Sequence, residues 1–126
     1  MAEQENVRQI AERMLARLEA LEAEQAAWWA TVDSGSYLEE QEEPLWAWLE
    51  SCLDIARVET VRQPASPDES RTLQRWEILL CFGGPSAGLE LEPDGRARVW
   101  AAWWSAPEYV EGRLEWLAQQ LEELGL

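Results

Sequence analysis

The chain has 126 residues and a formal charge of −15, from 25 acidic residues against 10 arginines, with no lysine and no histidine. Such a charge repels nucleic acid and anionic membranes, so we expect the partner to be a protein with a basic surface, with no direct binding of nucleic acid or membrane. The length suits a single domain, 1–126, and the lack of histidine removes the commonest general base and zinc ligand, so we expect no enzyme activity, no metal and no cofactor.

The first segment, AEQENVRQIAERMLARLEALEAEQAAWWATV, has the pattern of a long amphipathic helix. Apolar residues recur at steps of three and four, and the residues between them are strong helix formers. Thirty helical residues at ~1.5 Å each span roughly 45 Å, so we expect part of this helix to project from the domain or to meet a partner. The stripe comprises Val7, Ile10, Met14, Leu18, Leu21, Gln25 as its polar member, and Trp28.

A second helix is expected to begin near Pro44, because proline fits the first turn of a helix. Its apolar residues are Leu45, Trp46, Trp48, Leu49, Cys52 and Leu53. The next stretch, IARVETVRQ at 55–63, either extends this helix or forms a strand. A strand is favoured, because PASPDES then has the composition of a hairpin loop.

Three more strands are expected after that loop. RTLQRWEILLCF ends in a continuous apolar run, a structural turn at Gly83, Gly84 and Pro85 follows, and Asp94-Gly95 joins AGLELE to ARVWAAWW as a hairpin. The remainder, APEYVEGRLEWLAQQLEELGL, is expected to be a helix. The predicted fold class is therefore α+β, with two N-terminal helices in an acidic part at 1–54. At 55–126 we expect a four-stranded antiparallel meander and a C-terminal helix packed on one sheet face.

The stretch WEILLCFGGPSAGLELEPDGRARVWAAWW combines an apolar strand ending in Gly-Gly-Pro with a hairpin whose second strand carries tryptophan, and an acidic C-terminal segment follows. In these features it resembles a group of small accessory proteins carried by phages, plasmids and other mobile elements. The resemblance implies an accessory role, and acidic proteins of that setting include anti-CRISPR and anti-restriction inhibitors of host defence. The matching positions are Ile78, Leu79, Leu80, Gly83, Gly84, Pro85 and Trp103 or Trp104.

Catalytic interpretations of the remaining candidates are weak. Cys81 falls in an apolar strand and Cys52 on the apolar stripe of the second helix, where a thiol is usually an inert core residue. The Gly-Gly-Pro turn lacks the lysine and the spacing of a P-loop, and its proline removes an amide donor. Glu90 and Glu92 share a strand face, which favours a solvated surface over a metal site.

The densest acidic cluster is EEQEE, which contains Glu39, Glu40, Glu42 and Glu43. One interpretation is a solvated loop leading into a helix. The other is mimicry of nucleic acid, because B-DNA carries a charge every ~1.7 Å of its axis and carboxylates on a helix can approach that density. Residues 1–54 hold 13 acidic residues and 3 arginines, against 12 and 7 in 55–126, so the helical part is the denser one. Its first helix offers a second candidate set, Glu12, Glu19 and Glu22.

Three tryptophans fall within VWAAWW at 99–104. By strand alternation Val99, Ala101 and Trp103 face one way, and Trp100, Ala102 and Trp104 face the other. The sequence leaves open which face is exposed. We expect one set in the core and the other, assigned to Trp100 and Trp104, at a protein interface, where tryptophan is enriched.

Two hypotheses for function follow. In the first, the protein is a non-enzymatic inhibitor from a mobile element that binds a basic, nucleic-acid-binding surface of a host defence complex. In the second, it is an acidic oligomeric adaptor or phage accessory protein whose charge only confers solubility. Surplus apolar surface predicts a homodimer in either case. The acidic, polar N-terminus and the lack of a long apolar run predict a location in the cytoplasm of a bacterial host cell.

Overall fold

A computed structural model describes residues 6–35, 42–104 and 106–126. It confirms an α+β fold with two helices before an antiparallel sheet and one after it, but the sheet has five strands where four were expected. No helix in these ranges combines the length and apolar character that crossing a bilayer requires. The elements in chain order are α1 (Val7–Asp33), α2 (Pro44–Ser51), β1 (Asp54–Arg62), β2 (Ser70–Cys81), β3 (Ser86–Leu91), β4 (Arg96–Ala102), β5 (Glu108–Arg113) and α3 (Glu115–Glu123).

The strands lie side by side in chain order, and every neighbouring pair is antiparallel. The strand interpretation of 55–63 is confirmed, because this segment forms β1 and the PASPDES loop joins it to β2. The hairpin at Asp94-Gly95 is also confirmed, between β3 and β4. Short turn-forming sequences therefore set the topology of the meander.

The fifth strand is the main departure from the sequence-based expectation. EYVEGR, assigned to the C-terminal helix, forms β5, and α3 begins only at Glu115. Tyr109 and Val110 lie opposite Trp100 and Val99 of β4. Gly112 allows α1 to approach this strand closely, because a Cβ there would lie 2.8 Å from Cδ2 of Leu15. Cross-strand pairing and helix packing, which single-segment periodicity does not contain, decide this element.

The three helices contribute buried side chains to one core on one face of the sheet. The alternate residues of the strands point to the opposite face, which we call the open sheet face, because no described helix contributes to it. The core contains Ile10, Ala11, Leu15, Leu18 and Leu21 of α1, Leu45 of α2, and Leu117, Ala118 and Leu121 of α3. From the strands it takes Trp76, Ile78, Ala87, Leu89, Leu91, Ala97, Val99 and Ala101.

Gln25, the polar member of the α1 stripe, holds α2 against α1. Its Oε1 accepts a hydrogen bond from the backbone N–H of Leu45 at 3.0 Å, and its Nε2 donates to the carboxylate of Glu43. The N–H of Leu45 lies in the first turn of α2, where backbone donors have no partner within their own helix. A buried side chain of one helix therefore caps the next.

Candidate partner-binding surfaces

Between Leu18 and Ala56 the chain has ten acidic residues and no arginine. The fold distributes this stretch over the second half of α1, α2 and the start of β1. We call six of its described carboxylates, which lie on more than one side of the two helices, the acidic helical surface. None of them forms an ion pair with another described residue. They are Glu19, Glu22 and Glu24 of α1, and Glu42, Glu43 and Glu50 at α2.

The arginines lie mostly on the sheet, and most of those on the sheet form ion pairs. Seven of the ten are in strands, and five of these seven form ion pairs with nearby carboxylates. Examples are Arg75 with Glu77 at 2.8 Å and Arg113 with Glu115 at 2.9 Å. Charge on the sheet is therefore compensated locally, whereas charge on the acidic helical surface is not.

The acidic residues predicted to bind a partner differ in their surroundings in the structure. Glu12 is paired with Arg8 at 3.1 Å, whereas Glu19 and Glu22 are exposed, unpaired among described residues, and three positions apart on one helix face. In the EEQEE cluster, Glu42 is exposed and Glu43 is the N-cap residue of α2 that binds Gln25. Glu39 and Glu40 lie outside the described residues.

Two tryptophans on this surface were missed by the sequence reasoning. Trp29 of α1 is 49% exposed and lies seven positions, about two turns, after Glu22, on the same side of the helix. Trp46 of α2 is 54% exposed. The exposure of Trp29 could have been predicted from the sequence. Consecutive helical residues point about 100° apart, so Trp29 does not share the apolar stripe that contains Trp28. The acidic helical surface thus carries two aromatic side chains available for contact.

Trp100 lies on the open sheet face, half-buried across Gly88 of the adjacent strand. A Cβ on Gly88 would lie 2.5 Å from Nε1 of the indole, so only glycine leaves room for it. Tyr109 lies opposite Trp100 on β5, and the guanidinium of Arg98 lies 4.1 Å from the centre of the Tyr109 ring. Trp100 is therefore held against the sheet, which limits its use as a projecting anchor.

The structural turn of Gly83, Gly84 and Pro85 connects β2 to β3 and lies beside the end of β4. Gly84 lies against Trp103, since a Cβ there would be 3.0 Å from Cζ3 of that ring. Trp103 packs on the core, whereas Trp104 is 80% exposed. Phe82, 78% exposed, was not predicted as a contact residue. Residues 81–89 and 99–107 contain no charged side chain, and we call this the neutral end of the sheet.

The thiols have the surroundings of inert residues. Burial raises the pKa of Cys52 to about 11. Burial also raises the pKa of Cys81, against a smaller opposing effect of a backbone hydrogen bond from Ala87. Both thiols are therefore protonated at neutral pH, which disfavours nucleophilic chemistry. Within the described ranges no group of three or more cysteine, aspartate or glutamate side chains is placed to hold a metal ion.

No protein-family model, curated protein or solved structure matches this chain. We therefore infer its function from the chemistry of these surfaces.

Proposed function

We propose that the protein is a non-enzymatic inhibitor that uses its acidic helical surface to occupy a basic surface with which another protein binds nucleic acid. The observation that carries the proposal is the segregation of charge. Ten acidic residues without one arginine lie between Leu18 and Ala56, while half of the ten arginines form ion pairs on the sheet.

The segregation of charge matters because a surface whose charges are paired produces only a weak potential at a distance. Neighbouring ion pairs cancel beyond about one Debye length, roughly 8 Å at physiological salt, whereas unpaired carboxylates of one sign add their potentials. The acidic helical surface therefore attracts a cationic partner and orients it during encounter. Trp29 and Trp46 then supply large apolar contacts, the residue type that most often dominates interface energy.

The resemblance of the Gly-Gly-Pro segment to mobile-element accessory proteins makes host defence complexes the first partners to test. Their nucleic-acid channels are lined by arginine and lysine, which suits an anionic occupant. Capture from host lysate at low salt, elution at high salt and identification of the eluted protein would provide the partner. The captured protein should lose its nucleic acid when this chain binds.

The decisive variant is Glu19→Arg/Glu22→Arg, measured for association rate with the captured partner. We expect a rate at least about tenfold slower, because long-range steering acts on encounter. The matched control is Glu92→Arg/Glu111→Arg, which changes net charge equally at two exposed positions on or next to the sheet. If both variants slow binding equally, only total charge matters and the proposal of a specific surface fails.

The EEQEE cluster offers a parallel test. Reversal of Glu39, Glu40 and Glu42 leaves Glu43 in place to bind Gln25, so α2 keeps its attachment. Binding and salt dependence that are unchanged in both reversals would show that the acidity only confers solubility.

That outcome would leave the adaptor hypothesis, which one observation favours. The neutral end exposes Phe82 and Trp104, and its two segments, 81–89 and 99–107, contain no charged residue. An adaptor that binds there should lose its partner in Phe82→Ser/Trp104→Ser and should bind almost equally at low and high salt.

A further inference from the structure

We propose that β1 is a homodimer interface, in which the strand pairs antiparallel with its own copy about Val58 and joins two sheets into one. β1 is an edge strand, paired on one side only, with β2. In the described part of the chain no other segment makes backbone hydrogen bonds to its free side. An unpaired edge is a template for another strand. None of the residues of β1 belongs to the acidic helical surface.

The sequence of β1, DIARVETVR, is complementary to itself in this register. When two copies run antiparallel about Val58, Asp54 of each lies opposite Arg62 of the other, and Arg57 lies opposite Glu59. The uncharged positions match as well, with Ile55 opposite Val61 and Ala56 opposite Thr60. Opposite charges and apolar pairs across a strand pair both stabilise it, and no like charges meet.

Symmetry leaves few alternatives to this register. In a two-fold antiparallel pair, opposite residues share a face of the sheet, so the axis must pass through a residue. An axis through Arg57 places that arginine opposite its own copy, and an axis through Glu59 does the same with glutamate. Both neighbouring registers are therefore penalised by like charges. Among the residues of β1, only an axis through Val58 places opposite charges against each other.

Two features of β1 in the structure favour this pairing. The irregularity in the β1–β2 ladder lies between Val58 and Glu59, where β2 holds the extra residue Gln74, so β1 stays regular over its nine residues. The guanidinium of Arg57 already lies 3.0 Å from the carboxylate of Glu59 on the helix side. A second copy would extend this pair into an alternating group of four charges.

The other edge strand lacks this property. An axis through Glu111 of β5 places two glutamates opposite each other. An axis through Val110 places Tyr109 opposite Glu111 and Glu108 opposite Gly112, without any ion pair. An axis through Gly112 places Glu111 opposite Arg113, but only residues 111–113 of the two strands then overlap. Self-complementarity over a whole strand therefore belongs to β1, and the expected product is a closed dimer with no further growth along the other edge.

Association through one strand is expected to be weak. A stable interface commonly buries about 800 Å² per partner, more than one edge strand supplies, and the charge of −15 on each copy opposes approach. In ~150 mM salt, sedimentation equilibrium should show the mass rising from 14.5 kDa towards twice that value as concentration reaches about 100 μM or more.

Two exposed positions give the decisive variants, Asp54→Arg and Arg62→Asp. Each variant alone places like charges at both ends of the pairing, so its self-association should weaken by at least about tenfold. Mixed in equal amounts, the two variants form a heterodimer in which both ion pairs are restored, and the mixture should associate as wild type does. Asp54→Arg is less negative overall, so a general charge effect would strengthen its association instead.

The matched control uses the other edge, with Glu108→Arg and Arg113→Asp, which should leave the mass unchanged alone and mixed. A wild-type mass constant at 14.5 kDa up to millimolar concentration would overturn the proposal. So would a mixture of Asp54→Arg and Arg62→Asp that associates no better than either variant alone. Association insensitive to both variants but lost in Phe82→Ser/Trp104→Ser would move the interface to the neutral end.

Discussion

At the scale of single residues, the surroundings of a side chain decide what its chemical group does. Cys52 packs against the core, which keeps its thiol protonated. Trp100 lies flat because Gly88 has no side chain, whereas Trp104, four residues along, projects into solvent. Residue type alone does not distinguish Trp100 from Trp104.

The burial of Cys52 predicts that stability falls at alkaline pH. Its pKa is raised from 9.0 to about 11 in the folded protein, so ionisation favours the unfolded chain. The stabilising effect is fully present below pH 9 and is lost as pH rises through the folded-state pKa. In urea unfolding at several pH values across this window, Cys52→Ala should show a shallower loss than wild type. Identical slopes for the two proteins would contradict the assignment, and at neutral pH the variant should still bind its partner.

The contact between Gly88 and Trp100 predicts a coupled pair of substitutions. Gly88→Ala places a methyl group 2.5 Å from the indole nitrogen of Trp100, closer than van der Waals contact allows, and should cost ~1–3 kcal/mol of unfolding free energy. In a Trp100→Ala background the same change should cost much less, because the obstructing ring is gone. A double-mutant cycle by chemical denaturation measures this difference. Additive effects would show that Gly88 is required for another reason.

At the scale of elements, local periodicity predicted the segments that fold by local rules. The α1 stripe, the start of α2 at Pro44 and the turns at PASPDES and Asp94-Gly95 could all be predicted from neighbouring residues. β5 could not, because its place depends on pairing with β4 and on the approach of Leu15 to Gly112.

The candidate surfaces also combine features that neighbouring residues determine with features that depend on tertiary packing. The excess of acid in the helical part could be predicted from composition. The hydrogen bond between Glu43 and Gln25 and the exposure of Trp46 depend on how the helices dock, which no single segment specifies.

The attachment of α2 to α1 predicts a large effect of one buried amide. Gln25→Ala removes the acceptor of the Leu45 N–H and the donor to Glu43, and should lower the free energy of unfolding by ~1–3 kcal/mol. Gln9→Ala, at an exposed position of the same helix, should change it by less than ~0.5 kcal/mol. Urea denaturation followed by circular dichroism compares the two. Equal small effects would show that α2 is held by its apolar contacts alone.

At the scale of the whole molecule, the charges on the helices destabilise the folded state, whereas the ion pairs on the sheet stabilise it. Unpaired carboxylates repel one another, whereas the exposed ion pairs of the strands each contribute at most ~1 kcal/mol.

Screening by salt should therefore stabilise the protein. Raising NaCl from ~10 to ~200 mM should increase Tm by roughly 3–5 °C, since repulsion is screened more than short ion pairs are. Glu19→Gln/Glu22→Gln/Glu24→Gln should reduce this response. Glu77→Gln/Glu90→Gln/Glu115→Gln changes the net charge equally but removes carboxylates that face arginines, so it should leave the response as large or larger. A Tm that falls with salt in wild type would show that ion pairs dominate.

The neutral end has a consequence for the colloidal behaviour of the protein. At neutral pH the charge of −15 keeps molecules apart, so Phe82 and Trp104 rarely meet their copies. Near pH 4.2, the isoelectric point, that barrier vanishes while both rings stay exposed. Turbidity should therefore peak near this pH and clear on return to neutrality. Phe82→Ser/Trp104→Ser should stay clear, whereas Trp29→Ser/Trp46→Ser should precipitate as wild type does. The net negative charge of the protein therefore keeps it dispersed although Phe82 and Trp104 are exposed.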